Sequence, residues 1–329
     1  MTTTWILETH GNPLETVRSF LGALWEETGL EGMVIPTYQA DRPQVFPRLL
    51  ESQEELRTAD PFVPFMPINA AKFVSNLANE RPASHLGAVL RPCEARALHQ
   101  IANCGFLNRD RWLIIGADCL ASFPIQEFEW RAQKAGGVEQ LSTETLRFPR
   151  QGGIAPYRYR SACQTCLPSA SQYVDVNLDL IGLPVNQYIF IQIRWKDVAR
   201  TLMIDHLTDG LAPPELVARR DAALTRLANR HKNTKERMES SLPAELPRQP
   251  DDLVAFLRAC EPCQKCLEAC PIYAGELALG NNGLATAETQ RWLCECAQCG
   301  MCEQACPRHL ALAVIHGLIV KELAHANQW

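Results

Sequence analysis

The sequence predicts an α/β amino-terminal domain with a parallel sheet, followed by a mainly helical domain built around cysteine loops. Short apolar runs alternate with helical segments up to about residue 120, which is the order of strands and helices in a parallel α/β sheet. Later in the chain, CEPCQKCLEAC at 260–270 and CAQCGMCEQAC at 296–306 repeat one spacing of four cysteines, and proline follows each run. The segments around these runs have helical periodicity.

Local signals predict the elements of the amino-terminal domain. Asn12 and Glu15 resemble a capping box, and Pro13 occupies the first position of a helix that continues through Trp25. Further predicted helices are a short one capped by Ser52 and Glu55, NAAKFVSNLANE at 69–80 and EARALHQIA at 94–102. The predicted strands are WILE at 5–8, MVIP at 33–36, LGAVL at 86–90, WLIIGA at 112–117 and YIFIQI at 188–193.

Composition divides the chain into three segments. Residues 1–207 hold the α/β pattern. Residues 208–250 are charged and punctuated by proline, which predicts a linker that is first helical and then extended. Residues 251–329 hold the two cysteine runs and the helical pattern around them.

The bulk composition argues against several classes of function. With 32 basic and 37 acidic residues among 329, the net charge of -5 offers no electrostatic footprint for nucleic acid or anionic lipid. No stretch approaches the roughly 18 apolar residues that span a bilayer, and the first residues carry no secretion signal. We therefore expect a soluble, cytoplasmic protein with no nucleic-acid partner and no direct membrane span.

The chain has fourteen cysteines, which are poor disulfide candidates in a compartment where thiols are kept reduced. The two carboxy-terminal runs follow the C-x2-C-x2-C-x3-C-P pattern of two-cluster ferredoxins, in which three cysteines hold one cube and the fourth serves the other. The sequence therefore predicts two [4Fe-4S] clusters. The predicted ligands are Cys260, Cys263, Cys266 and Cys306 for one cluster, and Cys296, Cys299, Cys302 and Cys270 for the other.

Zinc is the alternative, since it accepts paired C-x2-C units as a tetrahedral thiolate site. Two identical runs of four cysteines, each closed by proline, favour iron-sulfur clusters over zinc. The 25 residues between Cys270 and Cys296, without a compact βαβ pattern, favour an all-helical dicluster ferredoxin domain. Cys294 lies outside both runs, and we expect it to be a small buried residue.

Further cysteines lie in the amino-terminal domain. Cys93 and Cys119 each follow a predicted strand, and ligands gather at the carboxyl ends of strands in an open α/β sheet. The helix that begins near Glu94 would aim its positive end at Cys93 and favour a thiolate. Together with Cys163 and Cys166 of SACQTC, these sulfurs could close a third cluster. Buried inert thiols plus a lone zinc knuckle are the alternative.

Three stretches resemble a known family. LGAVLRPCEARALHQI, LIIGADCLASF and CQTCLPSASQYVDVNLDLIG are similar to landmarks of the coenzyme F420 hydrogenase/dehydrogenase beta-subunit family, over roughly residues 1–200. The resemblance implies that Cys93, Cys119, Cys163 and Cys166 bind a third [4Fe-4S] cluster. It also implies FAD beside that cluster, hydride transfer between FAD and the deazaflavin F420, and single electrons that leave to a hydrogenase or formate dehydrogenase subunit.

Other groups carry weaker signals. No G-x-G-x-x-G follows a strand, so a Rossmann nucleotide site is not indicated. Arg158 and Arg160 precede the SACQTC pair and could balance cluster or flavin charge, but we expect surface arginines. Cys104 has no counterpart in the family and is expected in the core, and His99 and His309 are expected at solvent-facing helix ends.

These features predict an electron-transfer subunit with three [4Fe-4S] clusters, and the resemblance adds FAD as a candidate cofactor. The expected partners are a catalytic hydrogenase, formate dehydrogenase or heterodisulfide-reductase-like subunit and further iron-sulfur subunits. No catalytic residue is predicted in the chain itself. Two alternatives stay open: a flavin-dependent dehydrogenase acting on F420 or a nicotinamide, and an iron-sulfur redox sensor or structural subunit.

Overall fold

A seven-stranded sheet forms the centre of the amino-terminal domain in the computed structural model. The strands are β1 (Thr3–Glu8), β2 (Gly32–Gln39), β3 (Arg42–Leu50), β4 (Leu86–Leu90), β5 (Trp112–Ala117), β6 (Val176–Asp179) and β7 (Tyr188–Ile193). Their order across the sheet is β1-β7-β6-β5-β4-β2-β3. The structure describes residues 3–39, 42–105, 107–153, 156–166, 169, 172–194, 204–260, 263, 265–272 and 292–326.

The sheet is mixed, whereas the sequence predicts a parallel one. β2, β4, β5 and β6 pair in parallel, while β1 with β7, β6 with β7 and β2 with β3 pair antiparallel. Strands separated by few residues can pair antiparallel, but a parallel pair needs a crossover of a dozen or more residues. β2 and β3 are close in sequence, as are β6 and β7, so the parallel order is confined to the middle of the sheet.

The sequence does not predict β3 and β6. β3 contains two prolines, which argue against a strand inside a sheet, but β3 lies at the sheet edge, where proline is tolerated. β6 is the four-residue segment VNLD, whose polar Asn177 and Asp179 are buried. Pairing with β5 and β7, rather than a local pattern, makes this segment a strand.

The first helix, α1 (Pro13–Thr28), begins as predicted. Asn12 Oδ1 accepts a hydrogen bond from the Glu15 amide at 3.3 Å, and Pro13 is the first helical residue. The helix ends before Gly29, whose φ of 61° is a left-handed conformation that favours glycine.

Helices cover both faces of the sheet. The other described helices of this domain are α2 (Ala70–Glu80), α3 (Pro92–Asn103), α4 (Ile125–Ala135), α5 (Val138–Thr145) and α6 (Ser161–Thr165). Val89 and Ile115 belong to the core that includes α1, whereas Ala88 and Ile114 belong to the core that includes α2 and α3. Because successive side chains of a strand point to opposite faces, β4 and β5 are apolar along their whole length.

The predicted linker contains a long helix, α7 (Pro214–Ser240), that packs on the amino-terminal domain. Leu227 of α7 lies in the core that includes α1. A Cβ built on Gly182, just after β6, would lie 2.6 Å from Ala223 Cβ, so the helix approaches this loop as closely as glycine allows. The helical part of the linker is therefore a packed element, while the boundaries at 207 and 250 stay predictions.

The described part of the carboxy-terminal region is helical, as the periodicity predicts. Its helices are α8 (Pro250–Arg258), α9 (Lys265–Glu268), α10 (Met301–Ala305) and α11 (Leu312–Ala326). Leu253, Trp292 and Ile315 lie in the core that these helices share. Across the described residues, no helix has the length and apolar character required to cross a membrane.

Candidate metal centres

Four cysteines line a cavity of about 250 Å³ at the carboxyl ends of β4 and β5, and we call it the Cys93 cavity. Cys93 lies in the first turn of α3, and Cys119 follows β5 by two residues. Cys163 lies on α6, and Cys166 follows it directly. The four cysteines that the family resemblance assigns to one cluster therefore surround a common space, although metal binding there stays a prediction.

Buried hydrogen bonds fix the turn that carries Cys93. Glu94 Oε2 accepts from the Arg91 amide at 2.8 Å, and Glu94 Oε1 accepts from the Ala70 amide at 3.1 Å. Arg91 Nη2 donates to the carbonyl oxygens of residues 63 and 65 at 2.9 and 2.8 Å. This network holds the start of α2 and the segment before it against the start of α3.

Burial dominates the chemistry of the free thiols in this cavity. It raises the pKa of the Cys93 thiol well above its ordinary value and that of Cys119 to about 12. This direction is opposite to the expectation that the start of α3 favours a thiolate at Cys93, because burial disfavours the charged form of the free thiol. Cysteine binds metals as thiolate, so cluster binding would release these protons.

Two arginines approach the cysteines of the Cys93 cavity. Arg96 Nη2 lies 3.0 Å from Cys166 Sγ, and Arg160 Nη2 lies 3.5 Å from Cys163 Sγ. Arg160 is 7% exposed, so its expected surface position is wrong, whereas Arg158 is exposed. Arg158 and Arg160 are close neighbours before a short helix. No periodicity in this segment predicts which of the two side chains is buried. A buried guanidinium beside thiolates offsets the negative charge of a cysteine-ligated cluster.

A second cavity, of about 260 Å³, is lined by Cys260, Cys263, Cys266 and Cys306, and we call it the Cys260 cavity. Arg308 Nη1 lies 3.5 Å from Cys260 Sγ. The Arg308 guanidinium also lies over the Phe256 ring, 5.5 Å from its centroid. Burial raises the pKa of Cys266 to about 11.

A third cavity is lined by Cys270, Cys296, Cys299 and Cys302, and we call it the Cys296 cavity. Its volume is about 20 Å³, room for about one water. This space is much smaller than that of the Cys93 and Cys260 cavities. The donor set itself, four cysteine sulfurs, suits an iron-sulfur cluster.

The fourth cysteine of each run lies with the other run. Cys306 lines the Cys260 cavity, and Cys270 lines the Cys296 cavity. These two groups of four are the sets that the spacing predicts, and their binding of iron stays a prediction. For the zinc alternative, no group of three or more His, Cys, Asp or Glu within the described ranges is arranged to hold a single metal ion.

Two residues beside the Cys296 cavity are missed by sequence reasoning. Trp292 Nε1 lies 3.4 Å from Cys270 Sγ. His316 is 2% exposed, and its ring packs edge-on against Trp292 at a centroid distance of 4.9 Å. Burial lowers the pKa of His316 to about 4, and neither ring nitrogen has a hydrogen-bond partner among the described residues. A lone histidine in an apolar helix carries no spacing signal that could have marked it.

Four remaining candidates from the sequence do not line the three cavities. Cys294 is exposed, so the expectation that it is buried is wrong. Cys104 is half-buried at the end of α3 and is not a core residue as expected. His99 and His309 are exposed, as predicted, but neither lies at a helix end, because His99 lies inside α3 and His309 lies outside the helices.

No family model matches the chain. A solved structure with a similar fold is a chain of the xenon-derivatized F420-reducing [NiFe] hydrogenase complex from Methanosarcina barkeri, with a TM-score of 0.51 and 14% sequence identity. The likeness covers 73% of this chain and 92% of that chain, and at this identity it shows the fold alone. The covered share is larger than residues 1–207, so the shared fold includes residues beyond the predicted amino-terminal domain.

Proposed function

We propose that the chain is an electron-transfer subunit that holds three [4Fe-4S] clusters and works beside a catalytic redox subunit. The observation that carries the proposal is that twelve of the fourteen cysteines line three cavities in sets of four. Clusters held by four cysteines exchange single electrons, which is the chemistry they would supply here. The proposed ligand sets are Cys93, Cys119, Cys163 and Cys166; Cys270, Cys296, Cys299 and Cys302; and Cys260, Cys263, Cys266 and Cys306.

The surroundings of the cavities support this assignment. Arg96 and Arg160 bring positive charge to the Cys93 cavity, and Trp292 offers an N–H to Cys270 at 3.4 Å. Hydrogen bonds to cluster sulfurs and nearby charge set the reduction potential of a cluster. The chain would thus supply the donors and charges that tune electron transfer.

The proposed partners are a catalytic hydrogenase, formate dehydrogenase or heterodisulfide-reductase-like subunit, together with further iron-sulfur subunits. Two points support a partner of this class: the fold neighbour belongs to a hydrogenase complex, and the sequence presents cysteine sets suited to carrying electrons. A cytoplasmic location stays a prediction.

Metal analysis of anaerobically purified protein tests the proposal. We expect about twelve irons and about twelve acid-labile sulfides per chain, since each cluster holds four of each. A redox-enzyme subunit should co-purify and be identified by mass spectrometry. A result of zinc, or of no metal, would contradict the proposal. A content of about eight irons per chain would contradict only the cluster proposed for the Cys93 cavity. A stable monomer that carries the clusters but no partner favours the sensor or structural alternative.

The wall of the Cys93 cavity favours a second candidate, a flavin-dependent dehydrogenase that acts on F420 or a nicotinamide, with FAD as cofactor. Tyr157, which lines the cavity, is 75% exposed, and Arg158 lies 5.5 Å from its ring centroid. Arg230 and Arg237 of α7 also line this cavity. An aromatic ring and guanidinium groups suit the ring system and phosphates of FAD. A flavin spectrum bleached by F420 or a nicotinamide supports this candidate, and a colourless acid extract contradicts it.

A further inference from the structure

The Cys93 and Cys296 cavities meet at a small apolar cluster. Cys93 Sγ lies 3.9 Å from Met66 Sδ, and both residues are buried together with Met301. Cys299 packs against the same cluster. Because Cys93 lines one cavity and Cys299 lines the other, the two cysteine sets are neighbours across these side chains.

The segments beside these cysteines also pack closely. Gly300 has a φ of 70°, and a Cβ built on it would lie 2.4 Å from Ala162 Cβ. Gly300 follows Cys299, and Ala162 precedes Cys163. A residue with a side chain at position 300 would therefore push apart the two segments that carry ligands of neighbouring sites.

Arg160 spans the same contact. Its Nη2 lies 3.5 Å from Cys163 Sγ of the Cys93 cavity. Its Nη1 donates to Gln304 Oε1 at 2.8 Å and lies 3.7 Å from Met301 Sδ, both on α10, the helix that also carries Cys302. One buried positive charge is thus shared between the two cysteine-bearing regions.

Arg96 makes a parallel connection. Its Nη2 lies 3.0 Å from Cys166 Sγ, and its Nε donates to the Ala297 carbonyl at 3.2 Å. Ala297 follows Cys296 directly. Both arginines therefore join the Cys93 cavity to the Cys296 cavity.

Within the described part of the chain, the Cys260 cavity shares no such connection with the Cys93 cavity. Its lining residues all lie between Phe256 and Leu312, and none of them lines the Cys93 cavity. It is joined instead to the Cys296 cavity, because Cys266, Cys270, Cys302 and Cys306 pack in one core. The described residues thus place the three cavities in series, with the Cys296 cavity in the middle.

On the basis of the proposed function, we infer that electrons pass between the Cys93 and Cys260 cavities through the Cys296 cavity. We also infer that Arg160 couples the Cys93 cavity to the Cys296 cavity. A cluster held by the cysteines of the Cys93 cavity would give one electron to a cluster held by those of the Cys296 cavity; the first would be oxidised and the second reduced, with no bond made or broken. Because the rate of electron tunnelling falls steeply with distance, the contacts between cavities set the order in which the clusters exchange electrons. The Arg160 charge favours the reduced, more negative state of both clusters.

Midpoint potentials of the three clusters test the role of Arg160. They are measured by redox titration followed by electron paramagnetic resonance on the anaerobically purified full chain. R160Q keeps a polar side chain and removes the charge. We therefore expect the midpoint potentials of the clusters in the Cys93 and Cys296 cavities to fall, each by about 59 mV for a tenfold decrease in the equilibrium constant of its one-electron reduction. R308Q, the matched control beside the Cys260 cavity, should leave those two potentials unchanged. If R160Q lowers only one potential, or lowers the one that R308Q lowers, the inference is overturned.

The order is tested independently by C263S, which alters the cluster of the Cys260 cavity. Partly reduced unmodified protein should show magnetic coupling between the clusters of the Cys93 and Cys296 cavities. We expect this coupling to persist in C263S, and its disappearance would overturn the order. Iron content distinguishes failure of the order from failure of the proposed function. If the unmodified protein holds about twelve irons but shows no coupling, only the order is refuted. If it holds no iron, the proposed function is refuted.

Discussion

Arg220 Nη2 lies 2.7 Å from Asp179 Oδ1 in the interior of the protein. The same nitrogen lies 2.9 Å from Asp118 Oδ2, and all three side chains are buried. Asp118 directly precedes Cys119, one of the four cysteines of the Cys93 cavity. These ion pairs therefore tie helix α7 to the strand ends from which that cavity is built.

Replacing Arg220 should strongly destabilise the fold. At about pH 8, where the Asp179 carboxyl is ionised, R220M leaves the Asp118 and Asp179 carboxylates buried without their cation. Breaking a buried ion pair in this way costs about 3–5 kcal/mol. The free energy of unfolding is measured by urea titration with tryptophan fluorescence. R219M, at the exposed neighbouring position on α7, is the matched control and should change it by less than about 0.5 kcal/mol. Equal losses in the two variants would show that the buried pairs contribute nothing.

The buried carboxyl of Asp179 predicts a pH dependence of stability. Burial raises its pKa to about 7, against about 3.9 in an unfolded chain. Between about pH 4 and pH 7 the folded state therefore holds a proton that the unfolded state releases, so this group lowers the free energy of unfolding as pH rises. Urea titrations across that pH window should show that the free energy of unfolding decreases less with rising pH in D179N than in the unmodified chain. D110N, at an exposed aspartate, should follow the unmodified chain, and an unchanged slope in D179N would contradict the prediction.

The contact between Gly300 and Ala162 predicts that G300A is more harmful than an ordinary glycine substitution. The added methyl group would lie 2.4 Å from Ala162 Cβ at a φ of 70°. Gly105 has a similar φ of 84°, but nothing lies within 4 Å of its added Cβ, so G105A measures the backbone strain alone. We expect G300A to cost about 1–3 kcal/mol more than G105A and to lower the iron content. Equal unfolding free energies and iron contents would contradict this prediction.

The exchange of fourth cysteines predicts which substitutions share a phenotype. Cys306 lines the Cys260 cavity, so C306A should lose the same cluster signal as C263A, with about four irons lost. C270A should instead match C299A, since both residues line the Cys296 cavity. Paramagnetic resonance spectra and iron analysis of the four variants check this pairing. C294A is the control and should keep all signals, whereas a C306A spectrum that matches C299A would refute the exchange.

Several features of the fold follow from local signals, which sequence reasoning can read. The start of α1 depends on Asn12 and Pro13, two neighbouring residues whose roles need no distant contact. The strands β4 and β5 are apolar on both faces, and a strand buried on both sides requires that composition. β3 and β6 are different. β3 lies at a sheet edge, where proline is tolerated, and β6 lies inside the sheet, where pairing with β5 and β7 rather than a local pattern makes it a strand.

The candidate sites divide in the same way. The sequence alone determined the repeated spacing of the two carboxy-terminal runs and the position of Cys93 and Cys119 after strands, which are local facts. From these it predicted two sets of four ligands, and the family resemblance added the third set with Cys163 and Cys166. Tertiary structure alone decided that Arg160 is buried, that His316 lies beside the Cys296 cavity, and that Cys294 is exposed. It also decided the order of the three cavities. Burial and adjacency arise from packing between segments distant along the chain, and no spacing within one segment encodes them.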